Sequence, residues 1–248
     1  MLTRILFSAL VAGIVAGICV AILQQFTTTP LIIEAERYEV ATAQAPHFAW
    51  GSDTGEARLI LAQAEAPEAH AHEHGGDDEW APEDGLPRTF FTSIGTIGTT
   101  FGFGLILLSL MVLAAVPITA RNGLTWGLVA FVCAGLAPAL GLAPELPGSA
   151  AAELVSRQIW WVGTAIATAA GLWLALLVST PAAILGGVAL ILAPHVIGAP
   201  HPHELTSAVP SELSGHFAAA SLVVHAVAWS LTGLLAGLAW ERGIGARA

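Results

Sequence analysis

The chain contains no lysine; all eight of its basic residues are arginine. A P-loop needs a lysine to reach the nucleotide phosphates, so the protein is not itself a P-loop ATPase, and lysine Schiff-base chemistry is excluded with it. Charge of either sign is scarce, at 10% of 248 residues, against about 25% in ordinary soluble domains. So few charges cannot cover a globule in water, and lipid is the solvent that fits. Only two cysteines occur, Cys19 and Cys133, both in apolar stretches. They supply no disulfide framework and read as small core residues. No clustered basic patch exists for nucleic acid. Enzyme signatures are missing as well. His203-Glu204 is not followed by the second histidine of H-E-x-x-H, no span carries a G-x-S-x-G elbow, and no intramembrane aspartates pair. An enzyme is not expected.

What the chain has is 55% hydrophobic residues, gathered into five runs without any charged residue: 5–33, 89–120, 122–144, 158–203 and 213–240. A bilayer core about 30 Å thick takes about 20 helical residues. Four runs hold one span each, and the fourth in order is long enough for two, divided at Ser179-Thr180-Pro181. The expected architecture is all-α, a polytopic membrane protein with helices over about 5–26, 92–116, 123–140, 158–178, 182–197 and 215–240. The fifth is short and Gly-rich, so a five-helix count stays open beside six. The first apolar run exceeds the roughly 7–15 residues of a signal-peptide core and reads as a retained span.

Residues 34–84 hold 13 of the 18 carboxylates, with Arg37 and Arg58 the only bases. The organisation expected is therefore a first helix and its exit over 1–33, an acidic, His-containing flexible external loop over 34–90, and a helical bundle over 91–248. Arg4 precedes the first span, Arg121 sits in a very short connection, and Arg242 and Arg247 follow the last. The positive-inside rule makes their face, and the N-terminus, cytoplasmic.

With that parity nearly every imidazole gathers on the external side. His70, His72 and His74 alternate in one tract followed by Asp77, Asp78 and Glu79. Alternate residues of an extended chain point the same way, and neutral imidazoles with carboxylates suit borderline divalent metals. A solvated acidic tract without a specific site is the other reading. His195, His201 and His203 lie in Pro194-His-Val-Ile-Gly-Ala-Pro-His-Pro-His-Glu204, where proline-broken backbone frees carbonyls at a membrane edge. They form either a pore-mouth ligand set or a rigid turn. Glu34 and Glu36, where the first helix leaves the membrane, either receive a cation or simply end the span with Arg37 as partner. His216 opens the last span, and His225 alone lies deep within one. An intramembrane histidine is a functional candidate by default, although an interhelical hydrogen bond would explain it equally. Nine residues apart, His216 and His225 are half a rotation out of phase. The stripe Ala9, Gly13, Gly17 and Ala21, with Gly98/Gly102 and Gly233/Gly237 at G-x-x-x-G spacing, is expected to pack helices.

Pro30-Leu-Ile-Ile-Glu-Ala-Glu-Arg-Tyr-Glu39, Pro144-Glu-Leu-Pro-Gly148, Arg157-Gln158, Pro194-His195 with Gly198-Ala-Pro200, and Val209-Pro-Ser-Glu-Leu213 occur in order along the chain. Together they resemble the CbtA family of bacterial cobalt transporter subunits. The resemblance implies import of cobalt across the bacterial inner membrane in support of cobalamin synthesis. It also implies a small single-span, His-rich partner subunit of the CbtB kind. It establishes no ligand residues, and its members are usually described with five spans. Cargo rather than a permanently bound cofactor is expected: cobalt, with nickel and zinc as alternatives, because N/O sites do not separate these ions. A non-conducting metal-binding or assembly subunit is the alternative function.

Overall fold

The computed structural model describes residues 1–43, 82, 85–202 and 207–245. Among them every regular element is helical: α1 (Leu2–Phe26), α2 (Thr28–Ala43), α3 (Leu86–Leu113), α4 (Ala120–Ala139), α5 (Leu154–Val178), α6 (Pro181–Ile197) and α7 (Ser211–Glu241). Five of them, α1, α3, α4, α5 and α7, are long and apolar enough to cross a membrane. The protein is a polytopic helical membrane protein.

Prolines and caps set the boundaries. The ring of Pro30 would collide with the carbonyl of Phe26, so the first helix breaks at Thr27, whose hydroxyl donates to the Leu23 carbonyl at 2.7 Å. The chain resumes as α2, which carries helix on to Ala43, ten residues into the stretch read from sequence as loop. Pro138 has no N–H for the preceding turn, and α4 widens into a π-helical turn over Val132–Leu136 just before it. The Glu153 carboxylate caps α5, accepting from the backbone N–H groups of Val155 and Ser156 at 2.9 and 2.7 Å.

The helices alternate in direction between two faces. On one, which we call the terminal face, Arg4 donates to the Trp240 carbonyl at 2.7 Å and lies over its ring. The Ala120 N–H, opening α4, meets the Glu241 carboxylate there. On the other, the loop face, Ala35, Leu146, Val209 and Phe217 form one apolar cluster joining α2, both long connections and the start of α7. The short helix α6 runs back along α5: Gly171 meets Gly187, and nearer the loop face the Trp160 indole donates to the Pro194 carbonyl at 3.3 Å. Its 17 residues make about 26 Å, just under the hydrocarbon thickness. Because α6 runs back along α5 towards the loop face, both described ends share the terminal face.

Small residues build the core. Ala9, Ala12 and Ala16 are fully buried, and Gly13 and Gly17 press on the α3 backbone near Phe101 and Ile97. Gly123 and Gly127 of α4 abut the α7 backbone at Gly233 and Trp229, and Gly237 abuts Thr119. Two expectations need correction. Gly98 and Gly102 face open space, and the close contact of α3 is made instead by Gly104 against Ala9. Cys19 is exposed rather than core, because it lies off the buried stripe of α1; Cys133 is buried as expected.

Candidate metal pathway

Three cavities lie between the helices, and two ionisable side chains join them. A loop cavity of about 470 Å³ lies between the 141–152 and 200–218 segments and includes His201. Glu145 lines it and also lines an α4–α5 cavity of about 640 Å³, which contains Arg157, Gln158, Trp161 and His225. His225 in turn lines a third cavity of about 390 Å³ among α1, α2, α3 and α7. This threonine cavity is walled by Gln24, Thr28, Thr92, Thr96, Thr99, Thr100 and Ser221.

His225 stands 14 residues after the start of α7 and 16 before its end, near the bilayer midplane at about 1.5 Å per residue. Towards the loop face the cavities flank it. Towards the terminal face the helices pack closely. Phe103 and Trp229 stack at 3.7 Å beneath the threonine cavity, and the glycine contacts of α4 with α7 begin at that level.

The polar wall is ordered locally. The Thr96 hydroxyl lies 2.9 Å from the Gln24 side-chain oxygen, and the Thr100 hydroxyl donates across to the Gly13 carbonyl at 2.8 Å. Glu145 is held by Arg157 at 2.6 Å, each with slightly over a quarter of its side chain exposed. Among the described residues no group of three or more His, Cys, Asp or Glu side chains converges. The chemistry on offer is therefore oxygen-rich with a single imidazole, suited to a hydrated or loosely held cation. An octahedral shell of six waters occupies roughly 200 Å³ at about 30 Å³ per water, so it fits within the 390 Å³ of the threonine cavity.

The residues picked out from sequence are spread unevenly over this arrangement. His225 is central, shared by two cavities, and His201 lines the loop cavity. His216 is exposed and lines none of the three, as its half-turn phase difference from His225 requires. His195 packs edge-on against Trp160 with ring centroids 5.8 Å apart, its Nε2 buried without a hydrogen-bond partner among the described residues. It too lies outside the cavities. Glu34 pairs with Arg37 at 2.9 Å on α2, while Glu36 is bridged by Arg88. His70, His72, His74 and His203 lie outside the described residues. Sequence reading missed Gln24, the threonines and the Glu145–Arg157 pair. Only the threonines left a trace, since Thr92, Thr96 and Thr99 recur at helical spacing on one face of α3.

The loop face carries Glu34, Glu36, Glu39, Glu145, Glu153 and Glu212 against Arg37, Arg88 and Arg157 among the described residues. The terminal face carries Arg4, Arg121 and Arg242 against Glu241. A divalent cation is attracted to the first and repelled by the second. A family model described as a probable cobalt transporter subunit, CbtA, matches residues 2–241, nearly the whole chain. No curated protein and no solved structure matches.

Proposed function

We propose that this chain, which belongs to the CbtA family of probable cobalt transporter subunits, imports a divalent transition metal, cobalt first, through the cavities that meet at His225. The family makes it a membrane transporter subunit, and a subunit has partner proteins. The finer reading is that the loop face is external and the terminal face cytoplasmic, in a bacterial inner membrane, with the N-terminus inside. Its partner is a small single-span, His-rich subunit, and the metal serves cobalamin synthesis. The arginine excess of the terminal face supports this orientation.

One observation carries the reading: the deep imidazole of His225 is the element shared by two cavities, each of which extends towards the carboxylate-rich face. The ion enters from the loop face, exchanges part of its water shell for hydroxyl and amide oxygens, and is caught transiently by neutral imidazole. A weak site matches conduction, since an ion must leave as readily as it enters. His201, Glu34, His216 and the His70, His72 and His74 tract serve as external collectors that raise the local ion concentration. His195 packs against Trp160 at the α6 exit, and His203 serves as a further external collector. The sequence, without lysine, has no P-loop to drive the step. A membrane potential supplies about 4.6 kcal/mol per divalent ion per 100 mV, a gradient of roughly two-thousandfold.

Uptake of radiolabelled Co²⁺ into proteoliposomes with an inside-negative potential tests this. Wild type accumulates the ion, and His225→Gln, at the same protein level and insertion, does not. Wild-type vesicles that bind Co²⁺ without accumulating it would make the chain a non-conducting metal-binding subunit.

A further inference from the structure

We infer that Glu145 and Arg157 form a cation-exchange gate, in which an arriving divalent cation displaces the guanidinium from the carboxylate before moving on to His225. This deepens the transport reading and rests on it.

Placement carries the argument. Among the described residues Glu145 is the only carboxylate lining the α4–α5 cavity, and it also lines the loop cavity, so it stands where the two meet. Its position is fixed from behind: Leu146, the next residue, is buried against Ala35, Val209 and Phe217, and Pro144 and Pro147 stiffen the loop on either side. Beyond the pair, His225 is the next metal-capable side chain in the α4–α5 cavity.

The counter-ion is poorly placed for a permanent bond. Arg157 sits at the end of the first turn of α5, whose N-terminus favours negative charge and is already capped by Glu153. A guanidinium there is held chiefly by Glu145, at 2.6 Å, and both side chains keep water contact. The pair is partly exposed, so water and a competing cation can reach the carboxylate. A compact divalent ion, with twice the charge of a guanidinium, attracts the same carboxylate more strongly at equal distance. While the pair is closed, Glu145 is neutralised and Arg157 repels cations from the cavity. Once the guanidinium leaves, the carboxylate is free to accept the metal and pass it inward.

The pair therefore makes a prediction in opposite directions for its two members. Equilibrium Co²⁺ binding to the purified full chain in detergent, together with the KM for Co²⁺ uptake in proteoliposomes, reads it. Glu145→Gln weakens binding and raises KM about tenfold, the order expected for losing a charged group at a metal site. Arg157→Gln tightens binding and lowers KM, because it frees the carboxylate. Arg157→Lys keeps a positive charge beside the carboxylate and therefore does not give the tightening expected of Arg157→Gln. A purely structural ion pair behaves differently: both Gln variants lose protein level and thermal stability together, and Co²⁺ affinity moves the same way in each or not at all. That outcome overturns the gate. If wild-type vesicles fail to take up Co²⁺ while the opposite shifts in binding persist, the transport reading falls and the exchange site stands.

Discussion

Towards the loop face, α7 packs on α1 and α2 through Val224 and Phe217 but leaves cavities walled by Ser221, His225 and the threonines of α3. Towards the terminal face, the same helix presses its backbone against α4 through Gly123, Gly127, Gly233 and Gly237. Side-chain volume at the seam sets the difference. Where both partners lack a Cβ the helices meet directly and exclude water; where they carry hydroxyls and imidazole they cannot, and polar space opens. Half of the bundle thus holds polar cavities and half is close-packed.

The largest expected effect attacks the seam. A methyl added at Gly123 falls inside the Gly233 carbonyl oxygen, which is backbone and cannot swing aside. Gly123→Ala should force α4 from α7, costing about 1–3 kcal/mol or more. Protein level and thermal unfolding in detergent report the loss, and an unchanged unfolding temperature would mean that the two helices are not in contact. Next comes the open half. Thr96→Val keeps the side-chain shape but removes the hydroxyl beside Gln24. With a hydrogen bond worth about 1 kcal/mol, Co²⁺ uptake should fall roughly fivefold at normal protein level. Equal uptake would remove the threonine wall from the route.

A smaller effect is expected where α5 begins. The hydrogen bond from the Ser156 hydroxyl, followed by those from the backbone N–H groups of Ser156 and Val155, holds the exposed Glu153 carboxyl below its ordinary value of 4.5. A depressed carboxyl stabilises the fold above its unfolded pKa and loses that contribution as pH falls through the folded one. Protection of the Val155 and Ser156 amides, measured against the intrinsic exchange rate at each pH, should therefore fall as pH drops below about 4.5. Glu153→Gln should already show the lower protection at neutral pH and respond little to acid. Smallest of all is Gly98→Ala. Its Cβ meets nothing within 4 Å, so the helix-propensity gain of about 0.5–1 kcal/mol should appear as a slightly higher unfolding temperature. A large loss there, matching Gly123→Ala, would erase the contrast between packed and open glycines.

The α5–α6 hairpin shows how far local sequence reached. Ser179-Thr180-Pro181 marked its turn, and the structure places Ser179 at φ 54 and Thr180 as the cap of α6. Expected starts of 158 and 182 compare with Leu154 and Pro181. The shift at α5 arises because its first turn is polar, carrying Arg157 under a Glu153 cap, and the charge-free run begins only after it. His225 was legible because an ionisable group stands out in an apolar run. Glu145 and Arg157 were not, being two charges at separate loop and helix positions whose meeting depends on how α4 and α5 come together.

The apolar helices and the separation of acidic from arginine-bearing segments were legible in the sequence alone, since excluding charge from hydrocarbon is a property of each segment by itself. Which glycines seal, which threonines line a cavity and which carboxylate finds a guanidinium were decided only in the tertiary structure. Each depends on the rotation of one helix against another. Spacing such as Gly98/Gly102 is identical to that of Gly233/Gly237, and only packing turns one pair outward and the other into the seam.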